Sequence, residues 1–311
     1  MTSHGDGRAF AFLVNPSSGG GAAPDAVVPV ARLLREAGAV VDVTYSPGPQ
    51  AMTRLVDEAV ARGDVVVSVG GDGMLSSLAG LVAGRDATLA MVPAGRGNDF
   101  ARMLGLPDDP AALARVLLEG EVRRVDLLAV SGLGAQRRMV AGSIYAGVDA
   151  RAAAIADRAT WLPRSMQYPY AALRALAAYR PGRYRVAVDG IPHEYAAATV
   201  VVANSAYYGK GMQIAPPASI EDGVLDVIVI EAASRLALMR SLPKVYDGRH
   251  VALPEVTVLT GKRVELSGTL RGSAGGPIPV GGDGEPLGLL PASLADPAVV
   301  EVVPGALSVI C

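Results

Sequence analysis

Residues 65–73 read Val65-Val66-Val67-Ser68-Val69-Gly70-Gly71-Asp72-Gly73 and run into Met74 to Val82, whose spacing predicts a helix. A short β-branched run of this kind fits a strand covered on both faces, as parallel sheets in α/β domains require. The same rhythm surrounds it. Ala9 to Val14 reads as a first strand, and Pro24 to Ala37 as a helix with Val27, Val30, Ala31 and Leu34 on one face and Gly38 beyond its end. Val40 to Thr44, Ala51 to Ala61 and Leu89 to Val92 continue as strand, helix and strand. Each strand is short and almost wholly apolar, so each is expected to be covered on both faces, and the first 120 or so residues form an α/β domain with a mostly parallel sheet.

Beyond Arg123 the texture changes. Val125 to Val130, Tyr184 to Val188, Ala197 to Ala203 and Leu225 to Ile230 are strands set between Gly/Pro turns, with Asp189-Gly190 as a hairpin turn, so this half is mostly antiparallel. Residues 150–180 are the exception and read as helices broken near Pro163 and Pro169. In that segment Trp161, Met166, Tyr170 and Leu173 stand among Arg151, Arg158, Arg164 and Arg174. Two readings stay open there: a cover over an acyl-chain cleft at a membrane interface, or an amphipathic helix packed on its own domain.

Composition removes several classes. Of 311 residues half are hydrophobic and 19% charged, which gives a compact globule rather than a disordered chain. A net charge of −2 argues against a nucleic-acid partner. The one cysteine, Cys311, forms no intrachain disulfide or thiolate cluster, and the histidines His4, His193 and His250 are too dispersed for a zinc hydrolase. With no signal peptide and no apolar run of about 18 residues, the chain is expected in the cytoplasm.

Three glycine-rich turns each follow a strand of the first half: Asn15-Pro16-Ser17-Ser18-Gly19-Gly20-Gly21, then Gly70 to Gly73, then Pro93-Ala94-Gly95-Arg96-Gly97-Asn98-Asp99-Phe100-Ala101-Arg102. In an open parallel sheet such turns meet beyond the carboxyl ends of the strands, where ligands bind. Glycine lets the backbone approach an anion, and helix N-termini offer N–H groups to phosphate oxygens. Each turn taken singly is equally a tight bend that only needs positive φ; the three together point to a polyphosphate nucleotide. Neither a P-loop nor a Gly-x-Gly-x-x-Gly sequence is present.

Together with Tyr145-Ala146-Gly147-Val148-Asp149-Ala150, Asp222-Gly223-Val224-Leu225-Asp226 and Asp283-Gly284-Glu285, these motifs make most of the chain resemble the diacylglycerol kinase catalytic-domain family, which includes bacterial lipid kinases and the sphingosine and ceramide kinases. The resemblance implies a three-layer α/β nucleotide-binding domain over residues 1–124 and 293–311. It also implies a β-sandwich-like domain over 125–292 that completes the active-site cleft, with a strand near Val299 to Val303 returning to the first domain. The implied activity is transfer of the ATP γ-phosphate to diacylglycerol or a related lipid alcohol, with ATP and Mg2+ as cofactors and the inner membrane surface as the place of work. A second copy of the chain, in a homodimer, is a further candidate partner.

By the same resemblance Asn15, Ser17 and Gly20 line the phosphates, Gly71 and Gly73 bring amides to them, and Gly95 and Asn98 belong to the third loop. Asp72 lies near the magnesium, directly or through water. Asp72 and Asp283 are alternative bases, and Glu285 stands beside Asp283. Asp222 is a candidate ligand of a structural ion, with a plain β-turn as the other reading. The sequence departs from the family at Met74, Ser76 and Ser77, where the commonest form continues Thr-x-Asn-Glu. The missing threonine hydroxyl removes a hydrogen bond worth ~1 to 3 kcal/mol to a charged partner. Arg96 replaces another threonine and is placed to reach a phosphate bidentately. NAD kinase, which shares Gly-Gly-Asp-Gly, and a nucleotide- or lipid-binding regulator without catalysis are the alternatives.

Overall fold

The computed structural model describes residues 8–46, 48–134, 136–159, 161–271, 276–293 and 295–311. They form two compact units, one built on residues up to Val125 with Gly305–Cys311, the other on Asp126–Pro304.

In unit 1, β1 (Ala9–Val14), α1 (Ala23–Glu36), β2 (Val40–Tyr45), α2 (Pro49–Arg62), β3 (Val65–Gly70), α3 (Asp72–Val82) and β4 (Thr88–Pro93) alternate, followed by α4 (Asp99–Met103) and α5 (Pro110–Glu119). The strands lie in the order β2, β1, β3, β4, with the end of the chain's last strand beside β4, and every pairing is parallel. Every residue of β3 is buried. From α1 the expected stripe of Val27, Val30, Ala31 and Leu34 packs into the same core as Phe10, Phe12 and Val67. The expectation of two covered faces fails at β2, where Val40 is 70% exposed. This strand pairs with β1 at the sheet's edge, where fewer residues flank it.

In unit 2, β5 (Val122–Ser131, entering from unit 1), β6 (Arg138–Val140), β7 (Ser143–Gly147), α6 (Val148–Arg158), α7 (Arg164–Ala177), β8 (Gly182–Val188), β9 (Ile191–Ala203), β10 (Leu225–Glu231), α8 (Arg235–Tyr246), β11 (Val256–Gly261), β12 (Arg263–Leu270), β13 (Pro279–Gly282), β14 (Glu285–Leu289) and β15 (Ala298–Ile310) follow. The pairings of β7 to β14 with one another are antiparallel, as the alternating patterns predicted. The long β9 pairs first with β8, then with β7 and β10. Asp189 and Gly190, at φ +48° and +83°, make the expected hairpin turn between β8 and β9.

Two expectations are corrected. Pro163 does separate α6 from α7, but Pro169 lies inside α7 without ending it. It falls in the second turn, near the helix start, where the lost N–H bond disturbs little of the ladder. The return to the first domain is made by Gly305–Cys311, with Ser308 and Val309 beside Thr88 and Leu89. Val299–Glu301 instead pair with β12, so residues 298–304 run with unit 2.

On β10, burial and then the charge of Asp222 raise the carboxyl of Asp226 from an ordinary 3.8 to about 6. A raised folded pKa contributes stability that is full below the unfolded value and is lost as pH rises through about 6. Thermal melts from pH 4.5 to 8 check this as an expected outcome: the melting temperature falls across that window, and Asp226→Asn flattens the slope and is the more stable form at the alkaline end.

Candidate active site

The three turns of unit 1 meet backbone to backbone. Asn15 N–H donates to the carbonyl of Val69 at 3.1 Å, and Ala94 N–H donates to that of Gly70 at 2.8 Å, so the first and third loops are each tied to the end of β3. A Cβ on Gly19, whose φ is +60°, would strike the carbonyl oxygen of Ala94. One on Gly71 would lie 3.1 Å from the Cα of Gly95, and one on Gly95 would collide with Gly71. These two glycines are therefore required by close approach.

Side chains then fix the shape. Asn15 Oδ1 accepts from Ser17 N–H at 3.1 Å, and Asn98, at φ +55°, accepts from Gly95 N–H at 2.8 Å. Ser17 and Gly20 are exposed on the first loop, and Gly73 lies in the first turn of α3, where N–H groups have no partner within the helix. The hydroxyl of Ser18, which sequence reasoning passed over, stands close to Gly70, where a Cβ would meet it at 3.0 Å. The arrangement is a rim of backbone amides suited to phosphate oxygens.

Asp72 is the first residue of α3, yet its carboxylate points to the third loop. It accepts from Phe100 N–H at 3.0 Å. Burial pushes its pKa up, while the N–H groups of Phe100, Asp99, Asp72 itself and Asn98 pull the other way. Asp72 thus clasps the second loop to the third. Its neighbours explain the family's missing residues. Met74 packs its sulfur and Cβ over Gly70, and Ser77 donates its hydroxyl to the Gly73 carbonyl at 2.9 Å, within α3. Arg96 is exposed on the third loop.

In unit 2, Asp283 and Gly284 are the two central residues of the turn between β13 and β14, at φ +47° and +88°. Asp283 accepts from three successive backbone amides: Ala141 at 2.9 Å, Gly142 at 3.0 Å and Ser143 at 2.9 Å. A Cβ on Gly142 would lie 2.7 Å from the carboxylate. Asn204, fully buried, holds the same segment from its carbonyl side by donating to Ala141 at 2.9 Å. Asp189, in the Asp-Gly turn of the β8–β9 hairpin, does the same on a smaller scale, accepting from Lys262 N–H at 3.0 Å and Arg263 N–H at 2.9 Å. A carboxylate nested in amides is therefore a device for anchoring a hairpin here, whatever chemistry is added to it. Glu285 is exposed at the start of β14. Asp222 Oδ1 accepts from Val224 N–H at 3.0 Å, as a turn former does, and among the described residues no three acidic, His or Cys side chains converge as a metal cluster.

Unit 2 also holds an apolar cavity of about 90 Å³, walled in part by the 150–180 segment for which a cleft is one of the two readings. Its walls come from α7 and α8, with Ala172, Leu176, Leu238 and Leu242, and from the sheet, with Ala198 and Ile230. Asp149 lies on its wall and accepts from the Thr199 hydroxyl at 2.7 Å and from Tyr208. Burial pushes the Asp149 carboxyl up, against those two hydrogen bonds, and pushes the Tyr208 hydroxyl up as well. Asp149 was visible as a motif residue and Tyr208 lies in the glycine-rich stretch Asn204 to Met212, but nothing in the sequence paired them with Thr199.

Residues 9–130 match the diacylglycerol kinase catalytic domain, and residues 142–311 match the YegS C-terminal NAD kinase beta sandwich-like domain. A Mycobacterium tuberculosis protein named diacylglycerol kinase is 34% identical over 258 residues, covering 82% of this chain and 83% of its own. One of the same name from Bacillus subtilis is 24% identical over 280 residues, covering 86% and 90%. A crystal structure of a diacylglycerol kinase from Bacillus anthracis aligns with a TM-score of 0.70 over 98% of this chain and 97% of its own, at 18% identity, which shows a shared fold.

If Asp72 clasps the loops, Asp72→Ala strands buried N–H groups and lowers stability by about 1–3 kcal/mol, with Asp72→Asn in between. Urea unfolding measures this; a midpoint unmoved in both variants would leave the carboxylate without a structural part.

Proposed function

Because the chain belongs to the diacylglycerol kinase family of lipid kinases, we propose that it moves the γ-phosphate of ATP onto the hydroxyl of diacylglycerol or a related long-chain lipid alcohol. The observation that carries this reading is the meeting of three glycine loops in unit 1 with no side chain between Gly71 and Gly95. That rim presents N–H groups and helix N-termini to a triphosphate, with Asn15, Ser17, Gly20, Gly73 and Asn98 shaping or lining it and Arg96 adding a guanidinium.

Magnesium fits the donor set. It favours oxygen, keeps several waters and shares phosphate oxygens, so the single carboxylate of Asp72 suffices, directly or through water. When bound it neutralises charge on the phosphates. In the transfer, the acceptor oxygen bonds to the γ-phosphorus as the bond from that phosphorus to the β–γ bridging oxygen breaks. ADP leaves, and the hydroxyl proton passes to a carboxylate, for which Asp72 and Asp283 are the candidates. The acceptor's acyl chain enters the apolar cavity of unit 2, and the Asp149, Thr199 and Tyr208 group marks its polar side. The apolar part of that lining suits an acyl chain. No helix among the described residues is long and apolar enough to cross a membrane, so we place the enzyme's encounter with lipid at the inner membrane surface.

Label transfer from γ-labelled ATP with magnesium, offered a panel of lipid alcohols with NAD as control, tests the reading. Transfer to lipid is expected; transfer to NAD alone overturns it, as does nucleotide binding with no transfer to anything. Two variants sharpen the assignment. Met74→Thr restores a hydroxyl where Met74 covers Gly70, and is expected to tighten ATP binding by about fivefold to 150-fold in calorimetry. Asp283→Asn and Asp189→Asn each weaken a hairpin anchor, so both lower the melting temperature. If Asp283 takes the proton, its variant alone also loses about 10²–10⁴-fold in kcat; equal kcat in the two variants assigns Asp283 to anchoring only.

A further inference from the structure

The inner face of α7 lines the apolar cavity with Tyr168, Ala172 and Leu176. Its outer face is apolar too. Met166, Tyr170, Leu173 and Ala177 recur at helical spacing on the solvent side, Met166 at 55% and Leu173 at 48% exposure. A helix packed on its own domain ordinarily turns a polar face outward. Just before α7, Trp161 is 70% exposed and stands edge-on to Tyr170 at 5.6 Å between ring centroids. Exposed Leu236 of α8, which packs against α7, adds to the apolar surface of these two helices.

Charge supplies the second observation. Residues 148–180 and 232–249, which hold α6, α7 and α8, contain nine Lys or Arg against three Asp, in a chain whose net charge is −2. One of those three, Asp149, is turned into the cavity. Arg158, Arg174, Arg235 and Arg240 are exposed. Arg174 donates to the Tyr170 hydroxyl at 2.8 Å, so a guanidinium is fixed beside the apolar stripe.

We propose that the outer face of α7, with Trp161 and the arginines around it, docks on the surface of an anionic lipid bilayer. An apolar stripe flanked by cations suits that surface: rings and aliphatic side chains sink to the level of the headgroups, and arginines meet lipid phosphates. The same helix would then have acyl chains on its outer side and the cavity on its inner side, a placement that rests on the lipid-kinase reading for what the cavity takes up. A water-soluble acceptor would need no such face.

Trp161 is the chain's one tryptophan, so emission excited selectively from tryptophan, away from the absorption of the tyrosines, reports this surface alone. Vesicles of phosphatidylcholine containing phosphatidylglycerol are expected to shift its emission to the blue, and brominated lipid to quench it; vesicles of phosphatidylcholine alone are expected to do neither. Met166→Ser with Leu173→Ser, and separately Arg174→Glu with Arg240→Glu, are expected to weaken sedimentation with anionic vesicles by about tenfold or more. Both pairs should retain phosphorylation of a short-chain diacylglycerol presented in detergent micelles. No shift with anionic vesicles, an equal shift with neutral ones, or a shift that grows with protein concentration in the absence of lipid overturns the proposal, the last by assigning the face to a second copy of the chain. Loss of kinase activity in the unaltered protein, with the fluorescence response intact, would instead strike the proposed function and leave the docking surface standing.

Discussion

Gly71 and Gly95 approach until neither has room for a methyl group, and the rest of unit 1 is arranged around that approach. The parallel sheet brings the ends of β3 and β4 side by side, with Gly70 opposite Pro93. Backbone bonds from Asn15 and Ala94 draw the flanking loops to the end of β3, and the Asp72 carboxylate closes the assembly on the third loop. A surface built in this way from main chain presents amides with little side-chain freedom left to lose, which lowers the ordering cost of holding an anion's oxygens. On such a surface the threonine hydroxyl that Met74 replaces would be one hydrogen bond among many donors.

How much of this was legible in the sequence follows from how local each cause is. Val65 to Val69 and the stripe of α1 are short-range patterns, and both emerged nearly at the expected residues. The meeting of the loops was legible because parallel topology places successive strand ends on one side of a sheet. The partners of the carboxylates were not. Phe100 is 28 residues from Asp72, and Ala141 is 142 residues from Asp283, distances at which only the folded chain pairs a donor with an acceptor. The cavity beside Asp149 likewise needs α7 and α8 to be laid against β9 and β10. Pro169 misled for a simpler reason: a proline in the second turn removes one N–H bond near the helix start, and α7 continues past it.

The two Asp-Gly hairpin turns, at Asp189 and Asp283, caution against equating a motif with a role. Both put aspartate at positive φ, and both fold its carboxylate back on the amides of a neighbouring segment. One closes the hairpin of β13 and β14, the other that of β8 and β9. The difference between them is in degree: Asp283 gathers three successive amides against a glycine, and Asn204 grips the far side of the same segment. Such a nest holds a charge in a fixed place, which serves an anchor and a reactive group equally well.

Unit 1 is interrupted in sequence, since Gly305–Cys311 join it only after all of unit 2. On the ribosome, β4 therefore emerges with one edge lacking its final neighbour, and that edge stays unpaired while some two hundred further residues are synthesised. Ile310, buried in the same core as Phe12, arrives with that strand. Completion of this sheet thus waits until all of unit 2 has been synthesised, and nascent chains halted within unit 2 carry an unfinished one.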